Sequence, residues 1–261
     1  MPVSATASTY LLDNAWEHAR RRLRLLERVY DPGSTRRLDA LGVGAGWRCL
    51  EVGAGGGSIT RWLCSRVGPT GRVLAVDLDT RFVDDIHAPN LDVAALDVTT
   101  TQIPGGPFDL IHARAVLTHL SAREDVLDRL IDSLAPRGWL LLEEPDAYPI
   151  EAIGPALHCE VVTKVLAGSA PSGLDATWGR DLPARLRSRG LDDIGAESEV
   201  PLAEGASPGA EFLRLSTLQL HDLAVAAGVT PDQFDEWDAL LTTPGRWFPG
   251  LAMVAAWGRR R

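Results

Sequence analysis

The sequence is poor in cysteine: it has three, Cys49, Cys64 and Cys159, odd in number and without metal-ligand spacing. A disulfide framework and a zinc site are thereby excluded as organising devices, a reducing cytoplasm is the expected setting, and no bound metal is expected. A basic-then-apolar leader is missing, and the longest apolar stretches, such as residues 251–257, fall far short of the ~20 residues of a membrane helix. No membrane partner is expected. Positive charge is also in deficit: 26 basic against 35 acidic residues give a formal charge of -9. That balance opposes a broad electrostatic grip on nucleic acid or anionic lipid. Internal repeats are missing as well. What remains is 261 residues, 45% hydrophobic and 23% charged, enough for one α/β domain with modest insertions.

The first ten residues carry neither helical nor strand period. Over residues 14–30 the apolar positions Ala15, Ala19, Leu23, Leu26 and Tyr30 recur every three or four residues among five arginines, which predicts an amphipathic helix. Asp31-Pro32-Gly33 is expected to end it. A second helix over 34–41 then leads to a short apolar strand at 48–52, a glycine loop and a helix at 59–67. Further strands are expected at 73–77, 91–96, 108–112 and 139–144, with a short helix at 81–87. A helix at 121–134 has Ser121 and Glu124 in capping-box spacing. Strands alternating with helices imply right-handed βαβ crossovers and a parallel sheet covered on both faces. Residues 145–176, helical around 157–166, interrupt the rhythm, and a helix at 178–189 and a strand at 191–200 resume it. Helices at 207–227 and 231–241 form a second interruption before a last strand at 250–257.

The stretch most informative about chemistry is Glu51-Val-Gly53-Ala54-Gly55-Gly-Gly57-Ser58, between a strand and a helix. Glycines there allow a tight turn and let a ligand approach main-chain N–H groups at a helix start. The dinucleotide pattern Gly-x-Gly-x-x-Gly, counted from Gly53, meets Ser58 where Gly or Ala is wanted. Asp77 closes the next strand, where its carboxylate can accept both ribose hydroxyls of a nucleoside, and Asp97 closes the one after. Three acidic strand ends on one sheet edge suit a cationic or hydroxyl-rich ligand better than pyrophosphate.

With these residues the chain resembles the class I S-adenosylmethionine-dependent methyltransferases of small-molecule type, over about residues 38–144. The resemblance implies a doubly wound, Rossmann-like, mostly parallel seven-stranded sheet with helical cap and lid insertions. It implies a cap over residues 1–37, a catalytic domain over 38–261, and lids at about 145–176 and 201–243. It also implies that Glu51, Gly53, Ala54 and Gly55 wrap the methionine part of S-adenosylmethionine, that Asp77 with Leu78 holds the ribose, and that Asp97 with Val98 meets the adenine. Arg114, in the segment after the fourth strand that flanks the cofactor, and Tyr10 and Arg22, from the cap, are further cofactor contacts on this view. S-adenosylhomocysteine is then the product.

Methyl transfer is an in-line displacement that needs the acceptor atom held about 3 Å from the methyl carbon. A hydroxyl or ammonium acceptor must also lose a proton, for which His158 and His119 are the candidate bases. Glu144, Asp146, Tyr148 and His221 are the candidate acceptor contacts. His112, inside a strand, reads as a core histidine. Trp178, Trp237 and Trp247 flank the insertions and would suit a planar or apolar acceptor, which the resemblance suggests is a secondary metabolite. The sequence leaves open a fold member that binds the cofactor without transferring methyl, one that uses it for a cyclisation, an NAD-dependent oxidoreductase, and assembly into a homo-oligomer.

Overall fold

A computed structural model describes residues 11–261, so Tyr10 lies outside the described residues. In chain order come α1 (Ala19–Ala40), β1 (Arg48–Val52), α2 (Ser58–Val67), β2 (Arg72–Asp77), β3 (Leu91–Ala95), β4 (Phe108–Arg114), α3 (Arg123–Asp132) and β5 (Leu134–Asp146). There follow α4 (Tyr148–Ile153), α5 (Ala156–Ser169), α6 (Leu182–Ser188) and β6 (Asp192–Glu199). The chain closes with β7 (Leu202–Glu204), α7 (Pro208–Gln219), α8 (His221–Ala226), α9 (Pro231–Thr242), β8 (Trp247–Pro249) and β9 (Ala252–Arg259).

Seven strands form one sheet in the order β3-β2-β1-β4-β5-β9-β6. The pairings from β3 to β5 are parallel, and β9 runs antiparallel to both β5 and β6. β7 and β8 pair separately as a small antiparallel ribbon. The central strands are apolar because both faces are covered. Leu50, Ile111, Leu140 and Leu142 pack with Leu127 and Leu130 of α3 and Leu182 and Leu186 of α6. On the opposite face Leu110 and Leu141 pack with Leu38 of α1 and Leu63 of α2. A further apolar cluster, where Val161 of α5, Leu213 of α7, Trp237 of α9 and Phe248 of β8 meet, reaches Tyr30 of α1 and Met253 of β9.

The expected stop at Asp31-Pro32-Gly33 does not occur. α1 runs through Pro32 to Ala40, past residue 37 where the cap was expected to end. A proline inside a helix costs about 3 kcal/mol. Burial of Ser34, Arg37 and Leu38 beyond it outweighs that cost. Gly33 serves close approach and not termination: a Cβ there would sit 2.3 Å from Glu199 Oε2 and 2.8 Å from Arg37 Nη1.

Other local signals also gave way to tertiary contacts. Residues 81–85 form turns, and 86–87 are irregular, instead of a helix. The Ser121–Glu124 capping box is not made. α3 is capped at Ala122 without a side-chain bond, and Glu124 instead accepts hydrogen bonds from Trp178 Nε1 and Arg189 Nη2 and pairs with Arg185. The helix expected over 178–189 starts as a tight turn, Trp178–Asp181, before α6. Among the described residues no helix is long and apolar enough to cross a membrane.

Candidate active site

The site grows from the carboxyl edge of β1 and β2. Gly53, Gly55 and Gly57 take φ of 69°, 53° and 82°, a left-handed region that side chains disfavour. Gly53 is also sterically committed, since a Cβ on it would lie 2.3 Å from Val116 Cγ2. Gly53 N–H donates to Val76 O at 2.8 Å, and Gly55 N–H donates to Asp77 Oδ2 at 2.9 Å, which ties the loop to the end of β2. Asp77 Oδ1 accepts the Asp79 N–H at 3.1 Å. Burial pushes the Asp77 carboxyl up, against those main-chain donors. β3 stops at Ala95, so Asp97 sits in the following loop, where its Oδ1 accepts Thr99 N–H at 2.8 Å and Thr99 Oγ1 at 2.6 Å.

Glu51 and His112 are register partners on β1 and β4. His112 Nδ1 lies 2.8 Å from Glu51 Oε2 and its Nε2 3.1 Å from Glu143 Oε2. Burial pushes the ring pKa down, but the Glu51 charge and the hydrogen bonds to both carboxylates outweigh it and hold the pKa up at about 9. The ring is therefore an imidazolium that donates to both. Glu143 also takes Arg37 Nη1 at 2.8 Å and Ser34 Oγ at 2.5 Å, and burial is opposed by His112 and the arginines, which hold its carboxyl at about 2. Arg37 continues to Glu197 at 2.5 Å and Glu199 at 2.8 Å. Arg114, at the end of β4, donates to Ser34 Oγ and Asp31 Oδ1, each at 2.9 Å. A buried charged network thus joins the glycine-loop strand to α1 and the far edge of the sheet. Of its members outside the loop, the sequence reading had only His112, as a core residue, and Arg114, as a cofactor contact.

This edge opens into a cavity of about 230 Å³. At one end it is lined by Glu51, Gly53 to Gly56, Asp77, Leu78, Asp97 and Val98, and it continues between α1, α5 and α7. There the walls are mostly hydrocarbon: Leu23 and Leu26 of α1, Val162, Val165 and Leu166 of α5, Phe212 and Leu213 of α7, and Met253. Residues 145–176 and 201–243 thus both supply wall. Ala115, with φ of 54°, turns the chain from β4 onto Val116, which packs against Gly53. Such a strained non-glycine residue at a cavity wall is held by its surroundings.

His119 and Arg22 also line the cavity, as does Arg114. Burial first, then the charges of Arg22 and Arg123, push His119 down to about 4, so its ring is neutral at pH 7. Glu27 lies over the loop, its Oε1 2.2 Å from where a Cβ of Gly56 would be, and burial and Asp31 push its carboxyl up. No sequence pattern singled out Glu27, although the periodicity of α1 did mark Leu23, Leu26 and Tyr30 on the same wall.

Several expected site residues lie elsewhere. His158, expected as a base, is not in the cavity wall: Trp237 Nε1 donates to its Nδ1 at 3.0 Å and its Nε2 faces Pro249 O at 3.3 Å. Burial pushes it down to about 4, and it is a neutral packing residue between α5 and α9. Glu144 is buried beneath the site, accepting Leu117 N–H at 3.0 Å and Thr118 N–H at 3.1 Å; burial pushes it up to about 8 in spite of them. Asp146 is held by Arg180 at 2.6 and 2.8 Å. Tyr148 faces Ser198 at 3.2 Å, and His221 is exposed beside Asp222 at 3.4 Å. None of these four expected acceptor contacts lines the cavity. Nor do the tryptophans: Trp178 and Trp237 are core, and Trp247 is exposed. Glu144, Asp146 and His158 are held by partners of their own and Trp178 and Trp237 by the core, while His221 and Trp247 are exposed.

A doubly wound sheet with a glycine loop and acidic residues at its carboxyl edge, at the crevice beside the first strand, defines a nucleotide-cofactor-binding α/β protein. Comparison with known proteins narrows the class. Residues 15–189 match the methyltransferase domain family, and the chain belongs to it. Among curated relatives, methyltransferase str2 of Strobilurus tenacellus is 31% identical over 59% of this chain and 58% of its own. The ubiquinone/menaquinone biosynthesis C-methyltransferase UbiE of Ectopseudomonas mendocina is 30% identical over 41% of this chain and 45% of its own. The chain thus spans about half the length of these relatives. Among solved structures, phosphoethanolamine N-methyltransferase 2 of Haemonchus contortus superposes with a TM-score of 0.61 at 16% identity, over 98% of this chain and 61% of that one. That likeness concerns the fold.

Proposed function

We propose that the protein transfers a methyl group from S-adenosylmethionine to a small, largely apolar acceptor. The observation that carries this reading is the single cavity that joins the acid-lined sheet edge to a hydrocarbon chamber between α1, α5 and α7. The residues fit the cofactor. Asp77, half-buried at the cavity wall with its loop contacts made, offers remaining lone pairs to ribose hydroxyls. Asp97 and Val98 flank the adenine position, Leu78 covers it, and Glu51 with Gly53 to Gly55 borders the methionine part. When bound, the cofactor supplies an electrophilic methyl on a sulfonium.

The chain's own residues exclude water from the chamber and orient the acceptor for in-line attack. His119, held neutral, offers the acceptor a hydrogen bond but is a weak proton acceptor at pH 7, so orientation is its role on this reading. The names of the relatives, which include a C-methyltransferase of quinone biosynthesis and a trans-aconitate 2-methyltransferase, support a small-molecule acceptor. The net charge of -9 counts against nucleic acid. Residues 145–176 and 201–243 act as the acceptor cover.

Calorimetric titration with S-adenosylmethionine and S-adenosylhomocysteine, with NAD as control, tests the proposal. Micromolar binding of the first two and none of NAD is expected. Binding of NAD alone, or of none of the three, removes the cofactor assignment.

A further inference from the structure

α1 turns Leu23, Leu26 and Tyr30 toward the cavity, and Glu27 stands among them in the same wall. The other carboxylates of that wall are engaged. Glu51 is held by His112, Asp77 by the Gly55 and Asp79 N–H groups, and Asp97 by Thr99. Asp31, one turn further along α1, takes Arg114 and the Ser58 hydroxyl. Glu27 Oε1 is different: it is buried and has no hydrogen-bond partner among the described residues. Burial first, then Asp31, push the carboxyl up, and Arg114, the Ser58 N–H and Arg61 only partly offset them. An acceptor left unmet in this way is costly, and a native structure normally supplies it with a donor.

The glycine loop is shaped to this carboxylate. Gly53, Gly55 and Gly57 have left-handed φ, whereas Gly56 does not. What Gly56 provides is space: a Cβ on it would lie 2.2 Å from Glu27 Oε1 and 3.0 Å from its Cδ. The carboxylate therefore lies against the loop that borders the methionine part of the cofactor on the methyl-transfer reading. That part carries one group able to donate hydrogen bonds, the α-ammonium, since its carboxylate only accepts them. Resting on that reading, we propose that Glu27 is a cofactor-binding residue whose carboxylate receives the α-ammonium of S-adenosylmethionine. Rotation about the last side-chain bond exchanges the two oxygens, so either can turn from Gly56 to the ligand. The cap helix thereby gives a charged contact to the cofactor half of the cavity, beside the hydrocarbon it gives to the acceptor half.

Two ligands test this by calorimetry on the full chain: S-adenosylhomocysteine and its deaminated analogue, which has hydrogen in place of the α-amino group. The wild-type chain is expected to bind S-adenosylhomocysteine about tenfold or more tightly than the analogue, as a charge-assisted hydrogen bond implies. In Glu27→Gln most of that preference is lost, because S-adenosylhomocysteine is weakened while the analogue is not. Gly56→Ala, whose Cβ displaces the carboxylate, likewise weakens S-adenosylhomocysteine more than the analogue. The unliganded Glu27→Gln chain melts no lower than wild type, since an unmet buried charge has been removed. The proposal is overturned if the wild-type chain binds the two ligands equally. It is also overturned if Glu27→Gln weakens both alike, which would make Glu27 a structural residue, or leaves the preference unchanged, which would turn its carboxylate over to the acceptor. Failure of the wild-type chain to bind either ligand refutes the methyl-transfer reading and this proposal with it, whereas binding without discrimination refutes this proposal alone.

Discussion

Replacing His112 by leucine gives the sharpest test of the buried network. The imidazolium lies between Glu51 and Glu143, at 2.8 and 3.1 Å, and all three side chains are buried. Leucine fills much of the ring's volume but leaves two carboxylates facing each other without the charge between them. Removing one partner of a buried ion pair costs about 3–5 kcal/mol. Since a domain of this kind has a total stability of about 5–15 kcal/mol, that is a large share of it. For a chain of this size the loss lowers the thermal midpoint by roughly 6–20 °C. The pH dependence is a second readout. An unfolded imidazole gives up its proton near 6.5, whereas the folded one keeps it to about 9. The ring's contribution is therefore complete below about 6.5 and is lost as pH rises through about 9. Urea unfolding at steps from pH 6 to 9.5 measures both effects. Wild-type stability should decline over that interval, and His112→Leu should be less stable at pH 6 and lack that part of the decline. A variant within 1 kcal/mol of wild type at pH 6, or with the same slope, would refute the imidazolium assignment.

Gly53→Ala should destabilise the chain and abolish S-adenosylhomocysteine binding in calorimetry, since it places a Cβ 2.3 Å from Val116 at a φ of 69°; near-normal affinity would show that the loop has slack. Asp77→Ala should weaken S-adenosylmethionine binding by about 1.5–3 kcal/mol for each charge-assisted hydrogen bond lost, less where water replaces it, and unchanged affinity would remove the ribose assignment. Glu144→Gln keeps one acceptor oxygen but puts its amide NH₂ against either the Leu117 or the Thr118 N–H, and should cost about 1–3 kcal/mol of unfolding free energy, with cofactor affinity intact; the reverse pattern would return Glu144 to the ligand site. His158→Leu leaves the Trp237 N–H without its acceptor and should lower the melting temperature while sparing cofactor affinity; a loss of turnover without loss of stability would restore it as a candidate base.

The central strands were legible in the sequence because they are buried on both faces and so read as apolar runs between turn residues. Glu51, Gly53, Gly55, Asp77 and Asp97 were legible for a related reason. The backbone geometry of a strand–loop–helix crevice demands glycines and strand-end carboxylates at fixed offsets, and short-range spacing records such demands. Long-range partners leave no such record. Nothing near Glu144 in sequence tells that Leu117 and Thr118 will take both of its oxygens, or that Arg180 will claim Asp146. His158 illustrates the same limit, because its role depends on Trp237, 79 positions away. Pro32 shows local preference losing to tertiary contact: the stop signal was real, but Ser34 and Arg37 beyond it meet Glu143. Glu27 carried no signal, since a glutamate on an arginine-rich helix looks like an ordinary solvated charge.

The apolar cluster of α5, α7, α9 and β8 is separate from the two clusters that hold the sheet. Substitutions that share no contacts combine additively in their energetic effects. Residues such as Val165, Phe212 and Leu213 can therefore change size and shape at a stability cost that stays largely within their own cluster. The glycine loop and the Glu51–His112–Glu143 chain contribute no residue to that cluster. This arrangement lets selection, or a protein engineer, redraw the acceptor chamber residue by residue while the other half of the site is inherited intact.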